Sequence, residues 1–179
     1  NPTLGDFSPG NLARIFSRYY MGNYHPLSLL SLSLDHRIGG TDPFVYHRTS
    51  LLLHGLCTVL VLLLARDLLG GWIAPALCAL IFGVHPLHVE SVAWVSARKD
   101  LLYACFYFAA CLAWLRHARV GGRAAYALAL LCFLLSLLSK GMAVAFPLTA
   151  LAIHYSLGQR LGSRRVILGL APCFALSLL

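Results

Sequence analysis

Acid is what this chain has least of. Six Asp and Glu stand among 179 residues, against 14 Lys and Arg, and charged residues of every kind make up only 11%. A soluble domain carries about a quarter charged residues. That shortage removes the salt-bridged soluble surface as the default and, with 59% hydrophobic residues and a mean hydropathy of +0.76, points to membrane embedding. Paired cysteines are also missing. Cys57, Cys78, Cys105, Cys111, Cys132 and Cys173 each sit inside an apolar run, and no Cys-x-x-Cys occurs, so neither a disulfide framework nor a zinc site is predicted. P-loop, dinucleotide fingerprint and Ser-His-Asp order are absent. The net charge of +8 is scattered, with no basic stripe interleaved with aromatics, which excludes nucleic acid as a partner. No secretory signal is visible, the chain opens on Asn1-Pro2, and it stops inside the apolar run PCFALSLL; it reads as a piece cut at both ends.

What is present is a series of long apolar runs. A spanning helix needs about 20 mostly apolar residues. Residues 47–65, 72–86, 101–117, 124–140 and 142–157 approach this, and a sixth run begins near 166. The expectation is an all-α, polytopic transmembrane bundle with about five complete spans and part of a sixth. Gly70-Gly71 and Gly121-Gly122 mark tight connections. Residues 1–46 are predicted to form an outer-face loop rather than a span, with 47–179 as the bundle and no repeat domain. Within the loop, Leu12, Ile15, Phe16 and Tyr19 share one helical face, with Arg14 and Arg18 off it. That is the pattern of a helix lying in the interface. Residues 26–38, PLSLLSLSLDHRI, predict a second such helix, although the Leu/Ser alternation also fits a strand.

Orientation is set by the short loops. Arg66, the group Arg116, Arg119 and Arg123, and the group Arg160, Arg164 and Arg165 fall in loops that alternate to share one face. The positive-inside rule makes that face cytoplasmic. The opposite, extracytoplasmic or luminal face receives residues 1–46, the loop His85–Asp100 and Lys140.

The segment HPLHVESVAWVSARKD holds two His, one Glu, one Asp, one Arg and one Lys between two nearly pure apolar runs. Ionisable groups are costly at a bilayer boundary and read as functional. His85 and His88 are three apart with Glu90 following, but a single His pair lacks the third ligand of a catalytic zinc site. No metal site is predicted there, and loop shaping is the simpler role. Arg98, Lys99 and Asp100 are sharper. Arg offers a planar fork and Lys a point charge for phosphate oxygens, while Asp100 can orient either cation or cap a helix start. A divalent metal at Asp100 stays open, and no other cofactor is predicted. Lys140, in SLLSK-GMAVAFPL, shares the face of Arg98 and Lys99 and either snorkels or completes an anion pocket. His25, in Asn-Tyr-His-Pro-Leu, lies on the same face. His54 and His154 fall inside apolar runs, where hydrogen bonding to a neighbouring helix is the expected role.

These residues carry a resemblance. NYHPLSLLSLSLDHRIGGTDPFVYH, HPLHVESVAWVSARKDLL and SKGMAVAFPL resemble the outer-loop blocks of the transmembrane and tetratricopeptide-repeat, O-mannosyltransferase-like proteins of the membrane glycosyltransferase C superfamily. The resemblance covers most of residues 1–157. It implies a multi-span transferase that moves a sugar, typically mannose, from a polyprenyl or dolichyl phosphate donor to a hydroxyl, Ser or Thr of a protein in the best understood relatives. By this resemblance Arg98 and Asp100 match the second-loop Arg and Asp, Lys140 matches the Lys of the Ser-Lys motif, and His25 and Pro26 match the His-Pro of the first loop. The catalytic base is then an acidic residue of the first outer loop, expected upstream of Asn1, so this stretch alone is expected to be inactive. Ala97 and Gly141 stand where the family often has acidic residues. The implied partners are a lipid-linked sugar donor, a protein acceptor and the bilayer. The rival reading is a transporter or channel subunit whose loop charges form a vestibule. It predicts ionisable groups near mid-span, where only His54 and His154 qualify.

Overall fold

The computed structural model describes residues 4–20 and 22–178, apart from the side chain at position 165. Asn1-Pro2 and the Arg165 side chain therefore lie outside the described residues. Among the described residues there are nine α-helices and no strand. They are α1 (Pro9–Ser17), α2 (Pro26–Gly39), α3 (Pro43–Leu69), α4 (Ile73–Val84), α5 (Val89–Ala93), α6 (Arg98–Val120), α7 (Arg123–Ser139), α8 (Phe146–Ser156) and α9 (Arg164–Leu176). Short 3₁₀ turns at Pro86–His88, Val95–Ala97 and Gly141–Ala145 join them.

Local chemistry sets the boundaries. Pro26, Pro43 and Pro147 each stand in the first turn of a helix, where a missing N–H costs least. Asp42 caps α3 by accepting from the Phe44 N–H at 3.0 Å. The Gly121-Gly122 turn between α6 and α7 needs φ of +80° and +100°, values that glycine adopts without a Cβ penalty. Gly39 serves a different need: a Cβ there would come within 2.3 Å of Val45 Cγ2, so the α2–α3 corner closes only because position 39 is bare.

The helices fall where the apolar runs predict, but the count of spans is corrected. Two are long and apolar enough to cross a membrane, Pro43–Leu69 and Val95–Val120, or three if the pair Ile73–Val84 and Pro86–Ala93, bent by 48°, is one span. Five complete spans are not found among the described residues. The reason is length. At about 1.5 Å per residue, the 17 residues of α7 reach roughly 26 Å, short of a hydrocarbon core of about 30 Å. Gly121-Gly122 at one end of α7 and Lys140 at the other interrupt the apolar run, and Arg123–Ser139, Gly141–Ser156 and Val166–Leu176 remain shorter apolar helices.

The core sits between α6, α7, α8 and α9. Trp114, Phe133 and Phe146 are at most 1% exposed. Phe133 stacks on Phe146 at 4.7 Å, and Trp114 meets Phe146 edge-on at 5.9 Å, the geometries aromatic pairs favour. Ala110, Ala129, Ala143 and Ala150 are fully buried around them, and such small residues let helix backbones approach closely. Five of the six cysteines are buried and all six are free, as small hydrophobes should be.

Within residues 1–46 the strand alternative is overturned: Pro26–Gly39 is helical. Its faces also differ from those of an interfacial helix. α2 packs on α3, α6 and α7. It buries Ser28, Ser33 and Asp35 and exposes Leu34 and Ile38. α1 buries Ile15 but also Asn11, while Phe16 and Tyr19 are exposed.

The loops sort to two ends. Arg98 on α6 reaches Ser31 on α2 and Ser50 on α3, and Lys140 pairs with Asp100. These contacts gather the starts of α3 and α6 and the end of α7. At the other end Arg119 donates to the Asp67 carbonyl, Gln159 donates to the Ala118 carbonyl at 2.8 Å, and His117 bonds the Gly122 carbonyl at 3.1 Å.

Candidate functional site

The end that gathers His25, Arg98, Lys99, Asp100 and Lys140 is the candidate site, and its centre is Arg98. The 3₁₀ turn Val95–Ala97 leads directly into α6, so residues 98, 99 and 100 occupy its first turn and point in three directions. Arg98 points inward and is fully buried. Its Nε donates to Ser50 Oγ at 3.1 Å, Nη1 to Ser31 Oγ at 2.9 Å, and Nη2 to the Tyr46 carbonyl at 2.7 Å. Nη1 also lies 2.8 Å from Asp35 Oδ2, an ion pair with both side chains 4% exposed or less. Asp35 Oδ1 accepts from Thr49 Oγ1 at 2.8 Å. A second tier tightens the same junction: the Tyr46 hydroxyl donates to the Gly40 carbonyl at 2.8 Å and bonds His36 Nδ1 at 3.1 Å. Burying a guanidinium is costly unless each nitrogen finds a partner, and here all three do.

Lys99 and Asp100 face elsewhere. Asp100 pairs with Lys140, and both side chains remain 30% exposed. Lys99 is partly exposed and, among the described residues, has no hydrogen-bond or ion-pair partner. It lies near enough to His25 to act on it. The His25 pKa is held below its ordinary value, first by burial and second by the Lys99 charge. The His25 ring also meets Tyr20 edge-on, with centroids 6.4 Å apart. Its Nδ1 is buried without a hydrogen-bond partner among the described residues.

The remaining candidates lie around the α4 bend. His85 Nδ1 accepts from the Leu87 N–H at 3.2 Å. The His88 ring packs on Phe82 at 4.4 Å and approaches His54 at 5.5 Å and His85 at 6.0 Å. His54 in turn bonds the Gly83 carbonyl on α4 at 3.0 Å, as expected of a histidine within a span. His154 bonds Gln159 at 2.7 Å. His54, His85 and His88 border a cavity of about 260 Å³ walled by Leu51 and Val92. Glu90 is exposed. Among the described residues no group of three His, Cys, Asp or Glu side chains is placed to hold a metal ion, and Asp100 is engaged by Lys140.

Asp35, Ser31, Ser50 and Tyr46 were not singled out by sequence reasoning. Asp35 is 63 residues from its partner Arg98, and no local spacing announces such a pair. One signal existed. Ser28, Ser31 and Asp35 fall at i, i+3 and i+7 of a helix that also carries five leucines, a polar stripe on one face. Of the six acidic residues only Asp35 is buried.

Comparison with known proteins finds relatives by sequence. The chain is 35% identical over 103 residues to the protein O-mannosyl-transferase TMTC2 of Mus musculus, covering 58% of this chain and 12% of that protein. It is 39% identical over 99 residues to the protein O-mannosyl-transferase Tmtc2 of Drosophila melanogaster, covering 55% and 11%, and 33% identical over 113 residues to tmtc2 of Xenopus laevis, covering 63% and 13%. The chain thus matches about an eighth of the length of these relatives. No family model matches it, and no solved structure does. By sequence, over about half of its length, the chain is similar to proteins whose curated names are protein O-mannosyl-transferase.

Proposed function

We propose that this chain is part of a membrane glycosyltransferase that moves a sugar, mannose by the names of its relatives, from a polyprenyl or dolichyl phosphate to a hydroxyl of a protein Ser or Thr. The observation that carries the reading is the gathering of Lys99, Lys140, Asp100 and His25 at one end of the bundle, around a fully buried Arg98. In this reading the face is extracytoplasmic or luminal, and the Arg-bearing loops at the other end are cytoplasmic.

The chemistry requires what this end offers. The acceptor oxygen attacks the anomeric carbon, and the bond from that carbon to the phosphate oxygen breaks. The lipid phosphate leaves with the electron pair, and the hydroxyl proton passes to a carboxylate. Negative charge grows on the departing phosphate, and fixed cations at that point stabilise the transition state more than the ground state. Lys99 is paired with no carboxylate among the described residues. Lys140 is half neutralised by Asp100, which also fixes where its ammonium stands. A lipid tail confines the donor to the bilayer edge, where α3 and α6 begin. The carboxylate base is assigned to the segment preceding Asn1, by family resemblance. His25 is neutral near pH 7 because its pKa is lowered, so it adds no charge beside Lys99 and can take part in hydrogen bonding to a sugar or acceptor hydroxyl. His85, His88 and Glu90 shape the second loop at the bend, with the neighbouring cavity on the acceptor side.

The transporter reading gains no support, because the ionisable groups within the apolar helices, His54 and His154, are both hydrogen-bonded within the protein. The full-length protein, supplied with polyprenyl-phosphate mannose and an acceptor protein, is expected to transfer mannose. It should not do so from a water-soluble nucleotide sugar. Transfer from the nucleotide sugar alone, or none from either donor, would overturn the reading.

A further inference from the structure

Arg98 looks like the obvious phosphate ligand, yet it has nothing left to give a ligand. Its Nε, Nη1 and Nη2 all donate to protein acceptors, its charge is matched by Asp35, and it is 0% exposed. The four groups it holds come from two other helices: Ser31 and Asp35 from α2, Tyr46 and Ser50 from α3. It is thus the cross-brace of the α2–α3–α6 junction. We propose that Arg98 is a positioning residue, which with Asp35 clamps helix α2 onto α6 and so fixes Lys99, which follows it in the chain, and His25, which leads into α2. This rests on the reading of the protein as a lipid-phosphate sugar transferase, but the clamp itself can be tested without activity.

The placement explains why both neighbours depend on it. Lys99 is next to Arg98 in the chain, so the direction of its side chain is set by how the first turn of α6 is anchored. His25 precedes Pro26, the first residue of α2, so its place is set by how α2 is docked. α2 is also held by its buried Pro26 and Leu29 and by the bond of Asp35 to Thr49 on α3. Its buried Ser28 and Ser33 hydroxyls have no hydrogen-bond partner among the described residues, and its leucines at 30 and 34 are half-buried and exposed. The Asp35–Arg98 pair and the Ser31 bond are its polar ties to α6.

The test uses the full-length protein carrying Ser33→Cys, a position 1% exposed, and reads the rate of labelling by a membrane-impermeant maleimide against a control without that substitution. Arg98→Gln and Asp35→Asn should each raise labelling by about tenfold or more, because each leaves one buried charge unpaired and opens the junction locally. The double variant Asp35→Asn/Arg98→Gln leaves no unpaired charge, keeps amide hydrogen bonding, and should label more slowly than either single variant. Arg98→Lys should not restore protection, since one ammonium cannot reach the acceptors on both helices that a planar fork spans. Mannose transfer is measured on the same proteins. A clamp predicts that Asp35→Asn loses activity as Arg98→Gln does, and that the double variant recovers part of it. A direct phosphate ligand predicts the reverse: Asp35→Asn frees the guanidinium and leaves donor KM unchanged or lower, while the double variant is no better than Arg98→Gln. Unchanged labelling in both single variants would overturn the clamp whether or not transfer is seen. Faithful labelling changes with no transfer in the parent protein would leave the clamp standing and sink the transferase reading.

Discussion

One end of this bundle holds two of its cations on carboxylates, which the described cations of the other end lack. At the end where α3 and α6 start, Arg98 is fully buried against Asp35 and Lys140 is paired with Asp100. At the other end Arg116 and Arg119 lie on the surface, Arg119 touches only a backbone carbonyl, and Arg66 sits over the Trp72 ring at 3.9 Å. Half of the chain's acidic residues explain the difference. Asp35 and Asp100 are placed to meet cations at the first end, whereas the Asp67 side chain near the second forms no ion pair among the described residues. A surface arginine near headgroups needs no partner and orients the helices; a buried one exists only where a carboxylate and several acceptors have been brought to it.

Substitutions should separate the ends sharply. The largest loss is expected from Asp35→Ala, which strands the Arg98 charge and should cost about 3–5 kcal/mol, read as a fall in melting temperature of the full-length protein in detergent. Trp114→Ala, in the apolar core between the ends, should cost a comparable amount, about 3–5 kcal/mol, through cavity formation rather than charge. Equal stability of Asp35→Ala and parent would show that the buried pair does not hold the outer loop. Next comes Asp100→Asn. Its pair with Lys140 is solvated, so stability should change by no more than about 1 kcal/mol, while sugar transfer falls because the Lys140 ammonium is no longer held. The smallest effect belongs to Arg116→Gln, expected within about 0.5 kcal/mol as for other surface changes.

Acidification offers a further contrast. His25 has a lowered pKa when folded and titrates near 6.5 when unfolded. The unfolded chain then binds more protons as pH falls, so stability is full above about 6.5 and is lost as pH drops through the folded value. Melting temperature should decline from about pH 7.5 to 5, and His25→Gln should flatten that decline. An identical pH profile for the two proteins would remove His25 from the account.

Much of this was legible in the sequence. Apolar runs placed α3, α4, α6, α7 and α8 to within a few residues, because helix-length hydrophobic segments bounded by Gly pairs and Pro leave few alternatives. Lys140, Arg98 and Asp100 could be brought to one end by counting helices, since each sits at a helix terminus. Three things were not legible. The number of spans depends on a few residues of length at Gly121-Gly122 and Lys140, which composition alone blurs. The inward face of α2 mixes buried Ser28, Ser33 and Asp35 with Leu29, while Leu34 turns outward, and only tertiary packing against α6 and α7 decides which face that is. The fate of Arg98 depended on Asp35, 63 positions away. Local spacing shows that a cation is at a site, but it does not show whether that cation is free to bind anything.

The claim that one end of the bundle works on a lipid-linked phosphate is tested most directly by comparing Lys99→Gln with Arg116→Gln in the full-length protein, assayed with polyprenyl-phosphate mannose. Lys99→Gln should lower transfer by about a hundredfold, as removing a fixed donor from a developing anion does, and Arg116→Gln should leave it unchanged. Equal transfer by the two variants would contradict the assignment of the working face.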